Sequence, residues 1–339
     1  MNEIIIKQPG LQSTIQDLGR MTHQIDGFPT SGCMDTISSM TANILVGNDQ
    51  NAPVIEFALT GPTILFKAPT FIAVSGARFP LALNGKDISL NQCIYVHAND
   101  LLKIGGTSQG RYGYLAIREG LVISKVLDSY STTQRLNIGG FHGRALRSGD
   151  HINIEPHAKL SNYAHRSIEV ARYSEAKKVM RIRVLTGPQW SSFTSTDQHL
   201  FLSQRYQLTF QSDRMGYRLQ GQPLNIRSQN MLSEATVNGG IQIPPDGQPI
   251  ILLADRQTTG GYPVIAVVIT TDIPKLIQCQ PKQRICFENV DLQTASEILQ
   301  QQNKQLAQLN LEINEAKFQK PFGINRIAAQ RIQTLFEEA

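Results

Sequence analysis

The feature that most constrains the fold of this chain is a series of short β-prone runs between its first residues and about residue 290. Val, Ile, Leu, Phe and Tyr dominate the runs, and Gly, Pro or Asn separates one from the next. Regular strand spacing with such turn punctuation favours sandwiches or barrels over a doubly wound α/β fold. Asn84-Gly85 is the strongest hairpin signal, because both residues tolerate a positive φ. The main runs cover residues 4–6, 63–66, 71–74, 81–83, 93–96, 101–104, 112–117, 181–185, 208–210, 250–253, 264–269 and 285–287.

Two segments of the chain have helical patterns instead. Asp35 is the predicted N-cap of an early helix whose C-cap is Gly47. After Asn289, Thr294 and Glu297 form the capping-box pattern of a later helix. Apolar residues then recur every seven positions, which suits either a short coiled-coil seam or packing on the parent domain. These residues are Leu299, Leu306 and Ile313, with Leu309 offset by three.

The length of the chain, 339 residues, favours two core units, because one hydrophobic core stops growing at about 250–300 residues. Hydrophobic residues make up 41% and charged residues 17%, which is enough apolar material for a globular core. The predicted organisation is an N-terminal β subdomain (1–156), a basic linker (157–179), a C-terminal β-barrel subdomain (180–290) and a helical tail (291–339).

The net charge of +5 is mild and diffuse except for a basic cluster between Lys159 and Arg183. This cluster suits either contact with nucleic acid or a solvated linker. No aromatic stacking platform or groove-reading helix accompanies it, so no nucleic-acid partner is expected. The cluster contains Arg166, Arg172, Lys177, Lys178, Arg181 and Arg183.

The four cysteines form no C-x-x-C pair, which predicts free thiols and no metal site. The N-terminus lacks the features of a signal peptide. The best apolar run, 263–269, is too short to cross a bilayer. We therefore expect a cytoplasmic protein with no membrane partner.

Motifs that identify a chemistry by themselves are absent from the sequence: no phosphate loop, no G-x-G-x-x-G, no H-E-x-x-H and no G-x-S-x-G occurs. A Met-Lys-Met segment is also absent, so covalent biotin is not expected on this chain. Two of the remaining candidate segments lie in the first half. In 31–35, Asp35 is either a plain helix cap or part of an anion site at the helix N-terminus. In 110–118, Arg111 lies beside Gly113 on a strand face that suits a carboxylate or a phosphate, or else at an exposed strand end.

The second half contains the other two candidate segments. If 212–219 is extended, Arg214 and Arg218 share one face and form a possible anion cradle. Alternatively, Asp213 pairs with either arginine as a structural salt bridge. In 239–262, Thr258-Thr259-Gly260-Gly261 is either a hairpin connection or a cradle of backbone N–H groups and hydroxyls.

These segments, in this order, resemble the biotin-dependent carboxyltransferase subunit 2 family. That family includes KipI antagonists such as KipA, the C subunits of 5-oxoprolinase (PxpC) and the matching half of the urea carboxylase carboxyltransferase domain. This chain departs from the family pattern at Cys33, at Glu119 and in its longer tail. The resemblance spans about residues 5–290 and is carried by segments 10–20, 31–35, 42–48, 61–62, 111–117, 131–132, 139–140, 143–144, 148–150, 187–188, 212–219, 240–249 and 255–263.

The resemblance implies a mainly β fold with two cyclophilin-like β-barrel subdomains and a partner subunit related to KipI or PxpB. Our first hypothesis is the C subunit of an ATP-dependent 5-oxoprolinase, in which a PxpA-like subunit joins. No nucleotide motif occurs in this chain, so the ATP site is expected mainly in a partner subunit or at the interface with it. This complex would open the lactam of 5-oxoproline to L-glutamate. One alternative is a carboxyltransferase subunit acting on a urea-like substrate, with biotin carried on another protein. Another is a non-enzymatic antagonist of a KipI-like kinase inhibitor.

All substrates in this group contain an O=C–N unit, so the site needs donors for the carbonyl oxygen and cations for an anionic group. Arg214, Arg218, Asp255 and Gln242 are the predicted catalytic residues. The predicted substrate-binding residues are Arg111, Tyr114, Asp213, Tyr217, Thr258, Thr259, Gly260 and Tyr262.

Overall fold

The computed structural model of the protein describes residues 2–156, 163, 166–168, 179–225 and 231–316, with side chains up to Ile313 in the last helix. The prediction of a mainly β protein is confirmed. Strands of the first half form two antiparallel sheets, whereas those of the second half close into a barrel. The six-stranded sheet contains, in spatial order, β11 (His151–Asn153), β1 (Glu3–Gln8), β4 (Thr63–Phe66), β9 (Leu101–Ile104), β6 (Leu81–Leu83) and β7 (Lys86–Ile88). The five-stranded sheet contains β2 (Gln12–Gln16), β3 (Val54–Ala58), β10 (Gln109–Ile117), β5 (Thr70–Arg78) and β8 (Cys93–Val96).

The five-stranded sheet is buried on both faces. In β3, Ile55 and Phe57 pack between the two sheets, while Val54 and Ala58 belong to a second core that includes the barrel. Strands buried on both faces are apolar almost continuously and lack a clear alternation. Glu56 is the exception on the barrel side of β3, and it is only 2% exposed.

The hairpin predicted at Asn84-Gly85 is confirmed. It joins β6 to β7, and both turn residues have positive φ, 52° at Asn84 and 79° at Gly85. Two consecutive residues in this conformation are the mark of a type I′ turn, whose twist matches that of the strands.

Seven strands of the second half form the closed barrel, and its closure is the parallel pairing of the first strand with the last. A separate two-stranded ribbon, β15 (Glu234–Ala235) with β18 (Thr259–Gly260), projects beside it. The barrel order is β12 (Val179–Thr186), β19 (Val264–Val268), β16 (Gly240–Gln242), β17 (Ile250–Leu252), β14 (Gly216–Gln220), β13 (Tyr206–Leu208) and β20 (Arg284–Asn289).

Helix α1 (Thr36–Val46) lies between the five-stranded sheet and the second half. As predicted, Asp35 is its N-cap, accepting from the Ser38 N–H at 3.0 Å, and Gly47 is its left-handed C-cap. The short helices α2 (Ser195–Ser203) and α3 (Ile273–Ile277) belong to the second half and were not predicted.

Helix α4 (Leu292–Ala316) begins earlier than the capping-box pattern indicates. The Asp291 carboxylate accepts from the Thr294 N–H at 2.7 Å, so Asp291 is the cap and the prediction of Thr294 was wrong. Leu306 and Leu309 pack on the shared core, and Ile313 is buried in it. The apolar stripe therefore packs on the protein itself. The part of the predicted tail beyond Ala316 lies outside the described residues.

The described part of the predicted linker lies against the first half. Arg166 is 3% exposed, its guanidinium carbon lies 4.0 Å from the centre of the Tyr163 ring, and its carbonyl accepts from the Cys93 N–H. Arg118 covers the same ring at 3.8 Å. The solvated-linker interpretation is therefore wrong for Arg166. Arg172, Lys177 and Lys178 lie outside the described residues.

No helix in the part of the chain that the structure describes is both long enough and apolar enough to span a bilayer. The four cysteines are free, and Cys33, Cys93 and Cys279 are buried. Burial raises the pKa of the Cys279 thiol to about 12, so this thiol is inert at neutral pH.

Candidate functional site

The candidate site is a polar junction where the five-stranded sheet and α1 meet the barrel. Its central side chain is Arg214, which precedes β14 and is 5% exposed. The Arg214 guanidinium makes a two-pronged ion pair with Asp255, with Nε–Oδ2 and Nη2–Oδ1 distances of 2.8 and 2.9 Å. It also donates to the Glu56 carboxylate and, at 2.8 Å, to the Gly32 carbonyl. One arginine of the second half thus connects three segments.

This geometry limits what Arg214 can do for a ligand. A guanidinium has five N–H donors, and four of those of Arg214 are engaged by protein oxygens. Burial lowers the pKa of Arg214, but Asp255 and Glu56 outweigh that effect and raise it well above its usual range. Arg214 is therefore a permanent cation neutralised within the protein.

The structure does not bring Arg218 into this junction. Strand β14 begins only at Gly216, so Arg214 lies in the preceding turn and the alternation that predicts a common face does not extend back to it. Arg218 is exposed. The two guanidinium groups therefore do not form the buried cradle that the sequence suggested.

Asp213 is also outside the junction. Its exposed carboxylate accepts from the Met215 N–H at 2.8 Å and the Gly216 N–H at 3.3 Å, which is a local turn contact. The predicted salt bridge between Asp213 and a neighbouring arginine is wrong for Arg214, because Asp255 and Glu56 take that place.

Glu56, which sequence reasoning missed, occupies the start of α1. Its Oε2 accepts from the Met34 N–H at 2.7 Å, and it lies opposite Tyr114 in the register of β3 and β10. The Tyr114 hydroxyl accepts from the Asp35 N–H at 2.7 Å. Burial raises the pKa of Glu56, and Arg214 opposes that effect. The anion site suggested at the helix N-terminus is thus filled by the protein's own carboxylates, Glu56 and Asp35.

Arg111 is the predicted site residue whose donors are least satisfied. It is 8% exposed, and its Nη2 donates to the Ser212 carbonyl at 2.5 Å. Its Nε and Nη1 have no hydrogen-bond partner, although both are buried. The guanidinium lies 5.0 Å from the ring centre of Tyr217, whose hydroxyl donates instead to the Ile277 carbonyl. Among the described residues no carboxylate forms an ion pair with Arg111. Burial lowers the pKa of Arg111, but Tyr217, Tyr112 and the Asp213 carboxylate outweigh that effect and raise it.

Gln278 holds the two halves together next to Arg111, and sequence reasoning missed it as well. Its Oε1 accepts from the N–H groups of Arg111 and Tyr112 at 2.8 and 3.0 Å. Its Nε2 donates to Asp35 at 2.9 Å and to the Tyr112 carbonyl at 3.1 Å. Asp35 therefore caps α1 and anchors the barrel side at once. A lone glutamine after an apolar stretch gives no sequence signal for this role.

The other predicted residues form a group of contacts of their own. Gln242 is 3% exposed and donates weakly to the Tyr262 carbonyl at 3.4 Å. A side chain at Gly260 would approach the Gln242 amide nitrogen at 2.6 Å. The prediction of a hairpin connection is wrong, because the 258–262 segment lies between β17 and β19, which are not neighbours in the barrel, and its Thr259–Gly260 pair with β15 instead. Tyr262 is 43% exposed.

A second polar cluster, which sequence reasoning also missed, underlies the loop between residues 20 and 30. Asp17 accepts from the hydroxyls of Ser129 and Ser131 at 2.7 and 2.5 Å. Arg20 donates to the Thr133 hydroxyl at 2.9 Å and to the Ser131 carbonyl. The family resemblance includes these segments, but charge and spacing alone do not distinguish them from ordinary turns.

Within the ranges that the structure describes, His, Cys, Asp and Glu side chains form no group of three or more that could hold a metal ion. The ionic groups of the junction are instead paired with one another.

Comparison with known proteins identifies the family of this chain. The sequence model of the carboxyltransferase domain, subdomains A and B, matches residues 26–289. The chain is 37% identical to the 5-oxoprolinase C subunit of Haemophilus influenzae and 35% identical to that of Escherichia coli, in each case over 90% of this chain and 96% of the relative. It is 32% identical to urea amidolyase of Saccharomyces cerevisiae over 91% of this chain, but it covers only 18% of that protein.

Solved structures agree with this assignment. The K. lactis urea amidolyase superposes with a TM-score of 0.82 at 28% identity, covering 91% of this chain and 20% of the longer one. The protein designated TTHA0988 superposes with a TM-score of 0.76 at 31% identity, covering 85% of this chain and 55% of that one. In both, the matching region is part of a longer polypeptide.

Proposed function

Because this chain belongs to the carboxyltransferase domain family of subdomains A and B, we propose that it is the C subunit of an ATP-dependent 5-oxoprolinase. In this proposal the chain acts with a KipI/PxpB-like and a PxpA-like subunit to open the lactam of 5-oxoproline to L-glutamate. Two relatives named as 5-oxoprolinase C subunits match it over nearly their whole length, which supports this choice.

The buried, unpartnered nitrogens of Arg111 are the observation that supports 5-oxoproline over urea as the substrate. 5-Oxoproline is a lactam with a carboxylate, whereas urea has none. A buried guanidinium with two unpartnered nitrogens and no carboxylate partner suits a carboxylate ligand, since a fork of N–H donors matches its two oxygens. Arg111 is 8% exposed, and its contact with the Tyr217 ring holds it in place.

Ring opening adds one water across the amide bond: the hydroxyl goes to the carbonyl carbon, the C–N bond breaks and the nitrogen takes the proton. Negative charge grows on the carbonyl oxygen, so fixed donors near that atom lower the barrier. Gln242, Thr258, Thr259, Gly260 and Tyr262 are our candidate contacts for this oxygen.

ATP suits a partner subunit better than this chain. The helix N-terminus of α1 is filled by Asp35 and Glu56, and Arg214 is neutralised by Asp255 and Glu56. A single buried arginine does not fit a triphosphate. We therefore assign ATP mainly to a partner, where its hydrolysis would drive the ring opening.

The test is glutamate release from 5-oxoproline by the purified complex, with and without ATP. We expect ATP-dependent release, and none from this chain alone. A complete, folded complex that releases no glutamate would contradict the proposal and favour the carboxyltransferase alternative, which the urea amidolyase relatives support.

The variant Arg111→Lys tests the carboxylate contact. We expect the KM for 5-oxoproline to rise about tenfold or more, because one charged hydrogen bond is worth about 1.5–3 kcal/mol. Arg284→Lys, on the exposed side of β20, is the matched control. An unchanged KM in a variant with normal thermal stability would remove Arg111 from the substrate site.

A further inference from the structure

Four large apolar side chains are exposed around the β15–β18 ribbon. Ile25 is 92% exposed and Leu232 is 89% exposed, while Val237 and Tyr262 are 48% and 43% exposed. We call these four residues the loop–hairpin patch. Isolated apolar side chains are ordinary on a protein surface, but adjacent ones mark interaction sites.

The segments that carry the four residues are brought together by specific contacts. The ribbon pairs Glu234 with Gly260 in antiparallel register, so the segments of Leu232 and Tyr262 leave the same end of the ribbon. Gly261 also lies close to Met231 and Ser233, which flank Leu232.

The loop that carries Ile25 is fixed to the same ribbon. Gln24 donates to the Thr236 carbonyl at 2.7 Å and accepts from Arg256 at 3.0 Å. These contacts bring the loop segment that contains Ile25 to the segment that contains Val237. Since the Gln24 contacts are partly buried, the patch is held on a defined surface.

A two-stranded ribbon is marginally stable in water unless something packs against it. The exposed side chains of the ribbon itself include the polar Glu234 and Thr259, whereas the four apolar side chains that flank it are uncovered. Burying a large aliphatic side chain contributes about 1.5–3 kcal/mol, so covering this surface would stabilise an assembly.

We propose that the loop–hairpin patch is the docking surface for the KipI/PxpB-like subunit of the complex, which would present an apolar face to it. The proposal rests on the proposed function, which makes the chain one subunit of several. Relatives support the occupant: in TTHA0988 and urea amidolyase the matching region is joined to further polypeptide, so this domain functions beside other protein. The patch is also continuous with Thr259, Gly260 and Tyr262, so a docked subunit would border the candidate contacts for the lactam oxygen.

The test measures binding of this chain to its KipI/PxpB-like subunit by calorimetry. We expect Leu232→Glu and Ile25→Glu each to raise the Kd at least tenfold, because a charge is then buried in an apolar contact. Leu232→Met, which keeps an apolar side chain, should bind within about threefold of wild type. Leu292→Glu is the matched control, because Leu292 is 72% exposed on α4, and it should bind as wild type.

Wild-type affinity in both Glu variants of the patch would overturn the proposal, as would an equal loss in Leu292→Glu. A wild-type chain that is dimeric by light scattering, and monomeric as Leu232→Glu, would also overturn it, since the occupant would then be a second copy. Failure of the proposed function looks different: wild-type subunits would assemble through the patch yet release no glutamate from 5-oxoproline.

Discussion

At the scale of single residues, the burial of Arg214 determines its role. Its ion pairs with Glu56 and Asp255 connect the two halves, and Glu56 has no access to solvent that could replace the arginine. Removing one partner of a buried ion pair leaves an uncompensated charge, which costs more than the pair itself contributes. We therefore expect Arg214 to be a structural cation.

Replacing Arg214 tests this interpretation. Arg214→Met should lower the free energy of unfolding by about 3–5 kcal/mol, measured by urea denaturation, because Glu56 is left buried and charged. The double variant Glu56→Gln/Arg214→Met should recover part of the loss. Arg218→Met, on the exposed side of β14, should stay within about 0.5 kcal/mol of wild type. If Arg214→Met were as stable as Arg218→Met, the arginine would be free to serve a ligand.

His23 makes the loop above the Asp17–Arg20 cluster sensitive to pH. Its Nδ1 lies 2.9 Å from Asp26 and its Nε2 lies 3.2 Å from Asp128, and hydrogen bonds to Asp26 and then to Asp128 raise the pKa of His23 above 6.5. Since the folded pKa is raised, the stabilisation is complete below pH 6.5 and is lost as the pH rises through the folded pKa.

An NMR titration of the His23 ring measures this pKa. We expect a value above 6.5 that falls toward 6.5 in Asp128→Asn and does not move in Asp87→Asn, whose carboxylate lies on the distant β6–β7 hairpin. A pKa unaffected by Asp128→Asn would exclude the contact between the two loops.

The sequence could indicate Asp35 as a helix cap and Arg111 as a candidate binding residue because each follows a local rule. Asp35 precedes a helix, and Arg111 lies beside a glycine on a strand. Arg214 was predicted as a site residue from alternation along a strand, but it lies before that strand and is held by contacts with distant residues. Its partner Asp255 is 41 residues away and Glu56 is 158 residues away, and no local pattern encodes such contacts. The sequence pattern put Arg218 on the same face as Arg214 because it treated 212–219 as extended, whereas β14 begins at Gly216.

At the scale of elements, hairpins and caps were predictable because their residues act locally, as at Asn84-Gly85 and Gly47. Strands β2 and β3 were missed. Their residues face protein on both sides and include polar side chains such as Gln16 and Glu56, so neither an alternating nor a fully apolar pattern is present. Their position depends on tertiary packing that a single sequence does not display.

Gly139 allows a test of how tightly the segment around Ser131 packs against Arg20. Its φ is 67°, and an added side chain would collide with the Ser131 carbonyl and the Arg20 guanidinium. Gly149 is the matched control, because its φ is 88° and nothing lies within 4 Å of the same position. Gly149→Ala should cost about 1–2 kcal/mol from backbone strain alone.

Gly139→Ala should cost a further 1–3 kcal/mol or so because of the collision, as measured by chemical denaturation. Equal costs at the two positions would mean that the Ser131 segment can move away from Gly139, and that the Asp17–Arg20 cluster is loosely held.

At the scale of the whole molecule, the two halves share one of the two hydrophobic cores, and the other lies between the two sheets of the first half. Tyr112 and Tyr114 of the first half and Tyr217 and Ile277 of the second belong to the same buried cluster. Gln278 adds polar contacts across the same boundary. Separate domains usually meet through small, polar interfaces and unfold independently, whereas a shared core couples their unfolding.

Gln278→Ala tests this coupling. The change leaves the N–H groups of Arg111 and Tyr112 without partners, which should lower stability by about 2–6 kcal/mol at a cost of about 1–3 kcal/mol per buried donor. Gln280→Ala, which loses a single contact to the Gly110 carbonyl, should cost about 1 kcal/mol.

Trp190, the only tryptophan, reports the second half by fluorescence, and amide exchange of β10 reports the first. Because Trp190 and β10 both pack in the shared core, both signals should change at the same denaturant concentration and shift together in Gln278→Ala. A shift confined to β10, with the fluorescence transition unmoved, would mean that the halves unfold as independent domains.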